Sequence, residues 1–204
     1  MQTTSSYHDL VPRKTLGRYQ FTEVRKAAAV IAATNPQEWN EILDILDSFE
    51  LKRSDILEEG GNKSSVAARL DESLRKSGWR EGRVDTSILL SVRISPYHAA
   101  GEKKVIERKS EVKNKGYKVD NLKNRIALDV EWNAKDGNLD RDIGAYRALY
   151  SAALIDAAVI ITRTQDDLRD LAQSLDPDST KFATTTTTNL EKLIPRLTRG
   201  DGGG

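Results

Sequence analysis

The stretch that decides the fold is Tyr117–Trp132, YKVDNLKNRIALDVEW. Within it Ile126, Leu128 and Val130 alternate with Ala127, Asp129 and Glu131. Alternation with a period of two predicts a β-strand. Side chains two apart on a strand point to one face, so Asp129 and Glu131 stand side by side, roughly 6–7 Å apart. Tyr117, Val119 and Asp120 form a short run before the polar turn 121–124. A chain reversal there brings Asp120 to the same end of the sheet. Three hard oxygen donors at one point suit Mg²⁺, which prefers carboxylates and water. Acids alternating with apolar residues also describe the wet face of an ordinary strand, and on pattern alone that reading stays open. Two neighbouring acids with no basic residue between them carry a cost, which favours the metal reading.

The spacing Asp-x8-Asp-x-Glu on a hairpin, followed by a helix, resembles the catalytic core of the PD-(D/E)xK nuclease superfamily. More narrowly, VDNLKNRIALDVEWNAKDGNLDRD, residues 119–142, is similar to the BglII/BstYI family of type II restriction endonucleases. The likeness runs from about Arg18 to Gly200. In that family an Asp precedes a strand carrying Glu-Val-Gln; Asp120 matches the first acid, Asp129 the Glu and Glu131 the Gln. The resemblance implies an α/β fold, a restriction-endonuclease-like core with a central mixed β-sheet flanked by helices. It implies that Asp120, Asp129, Val130 and Glu131 form the Mg²⁺ site. Two departures stand out. Asp129 is one methylene shorter than Glu, so the metal must sit closer to the strand. Glu131 stands where the superfamily usually has Lys, although BamHI-like enzymes carry Glu there. Such a carboxylate can accept a proton from the attacking water or bind a second metal.

Composition bounds the alternatives. With 204 residues, 38% hydrophobic and 31% charged, the chain can bury a sizeable core under a highly charged surface. A net charge of +1 makes it no globally basic nucleic-acid binder, yet Lys and Arg can still line one cleft. No cysteine is present, which excludes disulfides and thiolate metal sites and fits a reducing cytoplasm. His8 and His98 are the only histidines, too few for a His-rich zinc site. No run of eighteen apolar residues and no signal peptide is present, so a cytoplasmic protein with no membrane partner is expected.

Residues 1–17 read as a flexible N-terminal arm and 18–204 as a single nuclease domain, its final strand missing at the C-terminus. A helix is expected over 19–33. Asn35-Pro36-Gln37-Glu38 reads as a capped helix start with a capping-box pair. Gly60-Gly61-Asn62-Lys63 lacks P-loop spacing; Asn62 or Ser64 caps a helix through Val66, Leu70 and Leu74, whose N-terminus gives Lys63 and Ser64 as candidate DNA-phosphate contacts. A plain capped turn is the alternative there. Glu72 reads as solvated, with an outer carboxylate as the other option. Residues 84–94 read as a strand. The lysine-dense 101–116 reads as a solvated linker or exposed helix, or as a basic rim on DNA. Past the acidic strand, Asn133 and Lys135 carry donors for base edges or phosphates. A helix over 139–154 sets Leu139, Ile143 and Tyr146 on one side, and Arg141, Asp142 and Arg147 on the other. A strand over 157–162 and helices over 165–175 and 190–197 complete the chain. Between the last two lies the threonine run 184–188; by family position Thr185, Thr186 and Thr187 are candidate base contacts.

The expected function is therefore a type II restriction endonuclease making Mg²⁺-dependent double-strand cuts at a short palindrome, the resemblance suggesting GATC within it. A palindrome implies a homodimer on double-stranded DNA. A cognate DNA methyltransferase is expected in the same system, though not as a binding partner. The alternatives are a non-specific or repair nuclease of the same fold and a catalytically silent DNA-binding relative.

Overall fold

The computed structural model describes residues 2–58, 64–183 and 186–199. Its contacts divide the chain into two units, residues 1–82 with 119–204, and residues 83–118.

The larger unit opens with β1 (Thr3–Thr4), α1 (Tyr7–Leu10) and α2 (Arg13–Leu16), followed by β2 (Glu23–Val24). Residues 3–16, read from sequence as part of a flexible arm, are tied down. Glu23 accepts hydrogen bonds from the Ser6 hydroxyl at 3.0 Å and the Ala28 N–H at 2.8 Å, and Val11 joins the core. The helix expected from residue 19 begins only at α3 (Ala27–Thr34). Arg25 and Lys26 both lie at φ 56°, a left-handed backbone that cannot continue into a helix. In α4 (Pro36–Ser48) Pro36 takes the first turn as expected. The capping box does not form: Asn35 turns its amide to Asp156 at 3.1 Å, and buried Glu38 accepts from Asn124 at 2.5 Å. Long-range partners outcompete the local cap. Two helices follow, α5 (Arg53–Leu57) and α6 (Ser65–Lys76), the second capped by Ser64 through the Ala67 N–H at 3.1 Å.

The smaller unit is a ribbon. After β3 (Arg80–Arg83), strand β4 (Thr86–Ile94) pairs antiparallel with β5 (Ile106–Asn114), from Thr86 opposite Asn114 to Ile94 opposite Ile106. The linker or helix expected over 101–116 is thus largely a strand. Its odd positions, Glu107, Lys109, Glu111 and Lys113, share one face with Ser87, Ser91 and Arg93, so charges of both signs mask the period-two pattern. Gly116 is required where it stands, because a Cβ there would come within 1.6 Å of the Val84 carbonyl oxygen.

The chain then forms β6 (Lys118–Lys123), β7 (Ile126–Glu131), α7 (Gly137–Ser151), β8 (Ala157–Thr162), α8 (Asp166–Leu175) and α9 (Leu190–Thr198). The sheet order is β3-β6-β7-β8. β6 and β7 are antiparallel, whereas β7 and β8 are parallel across the α7 crossover. This is the expected α/β architecture with a mixed central sheet. Ile126, Leu128 and Val130 pack with α3, α4 and α6, while α7 and α9 form a second apolar cluster through Leu139, Ile143, Leu190 and Leu193. Trp79, fully buried, donates its indole N–H to Glu41 at 2.9 Å, and Lys123 reaches the same carboxylate at 2.6 Å. The Gly78-Trp79-Arg80-Glu81 segment thereby fastens β6 to α4.

Candidate metal centre and DNA-facing loops

The site is built on the end of β7. All six residues of β7 are buried. Since Ile126, Leu128 and Val130 turn toward the core, Ala127, Asp129 and Glu131 turn the other way, under α7. Asn138, Asp142 and Tyr146, four apart on α7, form the stripe that meets them. Asn138 and Asp142 hydrogen-bond the Glu131 carboxyl, and the Tyr146 hydroxyl donates to Asp129 Oδ2. The Asp120 main-chain N–H donates to Asp129 Oδ1 at 2.7 Å. Continuing the β6–β7 register one step beyond Asn121 opposite Leu128 sets Asp120 across from Asp129. The structure sets Asp129 and Glu131 on one face of β7, with the Asp120 main chain beside Asp129. The Val130 side chain belongs to the core, so it can serve a cation only through its main chain.

Electrostatics mark the cluster as short of positive charge. Asp129 is pushed up to about 6, first by burial and then by the charges of Asp120 and Asp142, although the Tyr146 and Asp120 hydrogen bonds oppose the rise. Glu131 is pushed up to about 8 by burial, by its hydrogen bond with Asp142 and by the charges of Asp142 and Asp129. Glu131 Oε2 and Asp142 Oδ2 are buried without a hydrogen-bond partner. The neighbouring cation, Arg141, holds Asp142 at 2.9 Å but is largely exposed. Unpaired buried carboxylate oxygens are the donor chemistry that a hard divalent cation satisfies. Among the described residues no group of three or more acids or histidines is already arranged to hold a metal ion. Both Asp129 oxygens already accept protein hydrogen bonds. Each keeps a second lone pair, so these bonds do not bar ligation.

Asp142 corrects the sequence reading, which set it on the outer side of its helix; it is 3% exposed. The i, i+4 relation to Asn138 and Tyr146 was the available signal. On α6 the buried acid is Asp71, which accepts from Asn121 at 3.0 Å, while Glu72 is exposed and paired with Lys76. The outer-carboxylate option for Glu72 falls away.

The loop beyond β7 meets the threonine run. Asn133, at φ 63°, and Lys135 are exposed. Lys135 bridges Thr187, the Asp136 N–H donates to the Thr186 carbonyl at 3.3 Å, and the Thr188 N–H donates to the Ala134 carbonyl at 2.9 Å. Thr186 is exposed, Thr187 half-buried and Thr188 buried. Thr187 accepts from Arg163 Nη2 at 2.7 Å. Arg163, 3% exposed and stacked 4.8 Å from the Phe182 ring, has two further nitrogens without partners. Asn133, Lys135, Thr186 and Thr187 thus gather at the end of the sheet where β7 delivers Glu131. Ser64 caps α6 as an acceptor from the Ala67 N–H. Lys63 and Thr185 lie outside the described residues.

The family model for restriction endonuclease BglII/BglIII matches residues 19–204. No curated protein matches the chain. The chain belongs to the BglII/BglIII restriction endonuclease family, and is accordingly a nuclease acting on double-stranded DNA.

Proposed function

We propose that this member of the BglII/BglIII family is a type II restriction endonuclease, making Mg²⁺-dependent double-strand cuts at a short palindrome that contains GATC. The observation that carries the reading is the buried acidic pair Asp129–Glu131 at the end of β7, with the Asp120 main chain beside it and Glu131 Oε2 without a partner. Asp120 and Asp129, with the Val130 main chain and Glu131, would hold the cation. Mg²⁺ bound there supplies charge neutralisation at the scissile phosphate and at the leaving 3′ oxygen. Glu131 would take a proton from the attacking water or bind a second metal. Tyr146 and the Asp120 N–H fix the Asp129 carboxylate, and α7 shields the acids from bulk solvent. Asn133, Lys135, Thr186, Thr187 and Ser64, whose hydroxyl proton is not used by the cap of α6, are the proposed DNA contacts among the described residues, with Lys63 and Thr185 kept from the sequence reading.

A two-fold palindrome is cut symmetrically by a homodimer, each protomer serving one strand. The enzyme would work in the cytoplasm beside a methyltransferase that modifies the same sequence without binding it. Among the described residues no helix is long and apolar enough to cross a membrane.

A catalytically silent DNA-binding relative is the second reading, motivated by the two departures from the family's acidic motif, at Asp129 and Glu131. Incubation of the purified protein with phage DNA, with and without Mg²⁺, followed by end sequencing separates the readings. Discrete fragments with one shared palindromic end support the proposal. A smear indicates a non-specific nuclease, and intact DNA indicates the silent relative.

A further inference from the structure

The Glu131 main-chain carbonyl accepts two hydroxyl hydrogen bonds. Thr162, beside it on β8, donates at 2.9 Å, and Thr188, from the threonine run, donates at 2.7 Å. One donor satisfies a buried carbonyl. The ladder neighbour Thr162 already provides it, so the carbonyl does not need the second hydroxyl, while the buried Thr188 hydroxyl finds its acceptor there. Its distinct contribution is a direct link between the acidic strand and a segment 57 residues further along the chain.

That segment is not a loose loop where it is described. Thr188 is 0% exposed. Residues 186–188 run along 134–136 through the bonds already given, and the helix they lead into is fastened to the same region. Lys192 and Arg196 approach Asp136 at 3.4 and 3.1 Å, and Arg196 holds Asp140 at 2.9 Å. Asp136 and Asp140 stand at the start of α7, the helix whose Asn138, Asp142 and Tyr146 cover the acids. The threonine segment therefore grips the acidic centre twice, through the Glu131 carbonyl and through the head of α7. Its exposed part, Thr186, lies two residues from the buried hydroxyl on Glu131.

Resting on the nuclease reading above, we propose that Thr188 is a positioning residue that couples DNA engagement at Thr186–Thr187 to the placement of Glu131. DNA bound at these threonines shifts or stiffens their backbone, and the Thr188 hydroxyl passes that constraint to the Glu131–Trp132 peptide. A productive carboxylate position is then reached only when the outer threonines are occupied.

The test uses the full chain with Thr188→Val, Thr188→Ser and Thr162→Val. Single-turnover cleavage is measured with Mg²⁺, and duplex affinity with Ca²⁺ in its place. For Thr188→Val the cleavage rate constant should fall about ten- to hundredfold, with affinity within about twofold of wild type. Thr188→Ser should restore the rate. Thr162→Val, which removes the other donor but leaves the link, should stay within about threefold. Wild-type cleavage by Thr188→Val overturns the proposal, as does an equal loss in Thr162→Val or a loss of affinity matching the loss of rate. Amide exchange over residues 131–136 gives a readout that needs no cleavage. Duplex should slow it in the wild type and not in Thr188→Val; equal slowing in both overturns the coupling. A wild-type protein that shows this exchange pattern yet cuts nothing counts against the nuclease reading alone.

Discussion

Asp142 on α7 hydrogen-bonds the carboxyl of Glu131 on β7, and each keeps a second oxygen buried without a partner. Burial and the neighbouring Asp142 oppose ionisation of Glu131, so the folded protein retains a proton on Glu131. An unfolded chain gives that proton up in the ordinary carboxylate range. The folded state therefore binds more protons than the unfolded state between that range and the raised values of about 6 for Asp129 and about 8 for Glu131. Stability falls with rising pH wherever the native state holds the extra proton. Urea unfolding in a chelator should thus give a lower midpoint at pH 8.5 than at pH 5, a loss on the order of 3 kcal/mol. Mg²⁺ should recover part of that loss at pH 8.5 and little at pH 5, where protons occupy the acids. A stability that stays level or rises across this interval contradicts the assignment of shared protons.

Asp142→Asn should separate charge from shape. The amide keeps the hydrogen bond but donates it, which favours ionised Glu131 instead of opposing it. In a chelator at pH 8 the variant should be more stable than the wild type by about 1–2 kcal/mol. The limb of the cleavage pH profile attributed to Glu131 should move to lower pH. Calorimetry and single-turnover rates read the two effects. An unchanged profile would assign the raised Glu131 value to burial alone.

Tyr146→Phe removes the donor to Asp129 Oδ2 without changing ring volume. The ionised carboxylate then lacks one partner in a buried site. The expected destabilisation is about 2 kcal/mol at pH 8, shrinking below pH 6, where Asp129 is protonated. Denaturant midpoints at both pH values check this. A loss that is the same at both shows that the hydroxyl does not serve the ionised acid.

The acidic strand was legible because a period of two leaves one assignment for Asp129 and Glu131. The chain reversal was legible in the polar run 121–124, although 121–123 pair within β6 and the turn itself is only 124–125; the mixed sheet was what the family resemblance implied. Asp142 was missed because three charged residues on α7 looked like one solvated face, although Asp142 lies one helical turn from Tyr146. Strand β5 was missed because Glu107, Lys109, Glu111 and Lys113 make one of its faces read as a charged linker. The capping box at Asn35 failed for a tertiary reason, since Asp156 and Asn124 take its two members. Thr188 lay within the run read as base-contacting, but its role on the Glu131 carbonyl depends on a fold that brings positions 131 and 188 together, and no local pattern encodes that.

The most direct measurement is single-turnover cleavage of a duplex carrying the mapped site, with Mg²⁺, by wild type and by Asp129→Ala, each first shown to be folded and to bind that duplex. If the acids at the end of β7 hold the cation, the wild type cuts both strands and the variant loses cutting by about a thousandfold or more while still binding. Cleavage by Asp129→Ala at the wild-type rate would contradict the account.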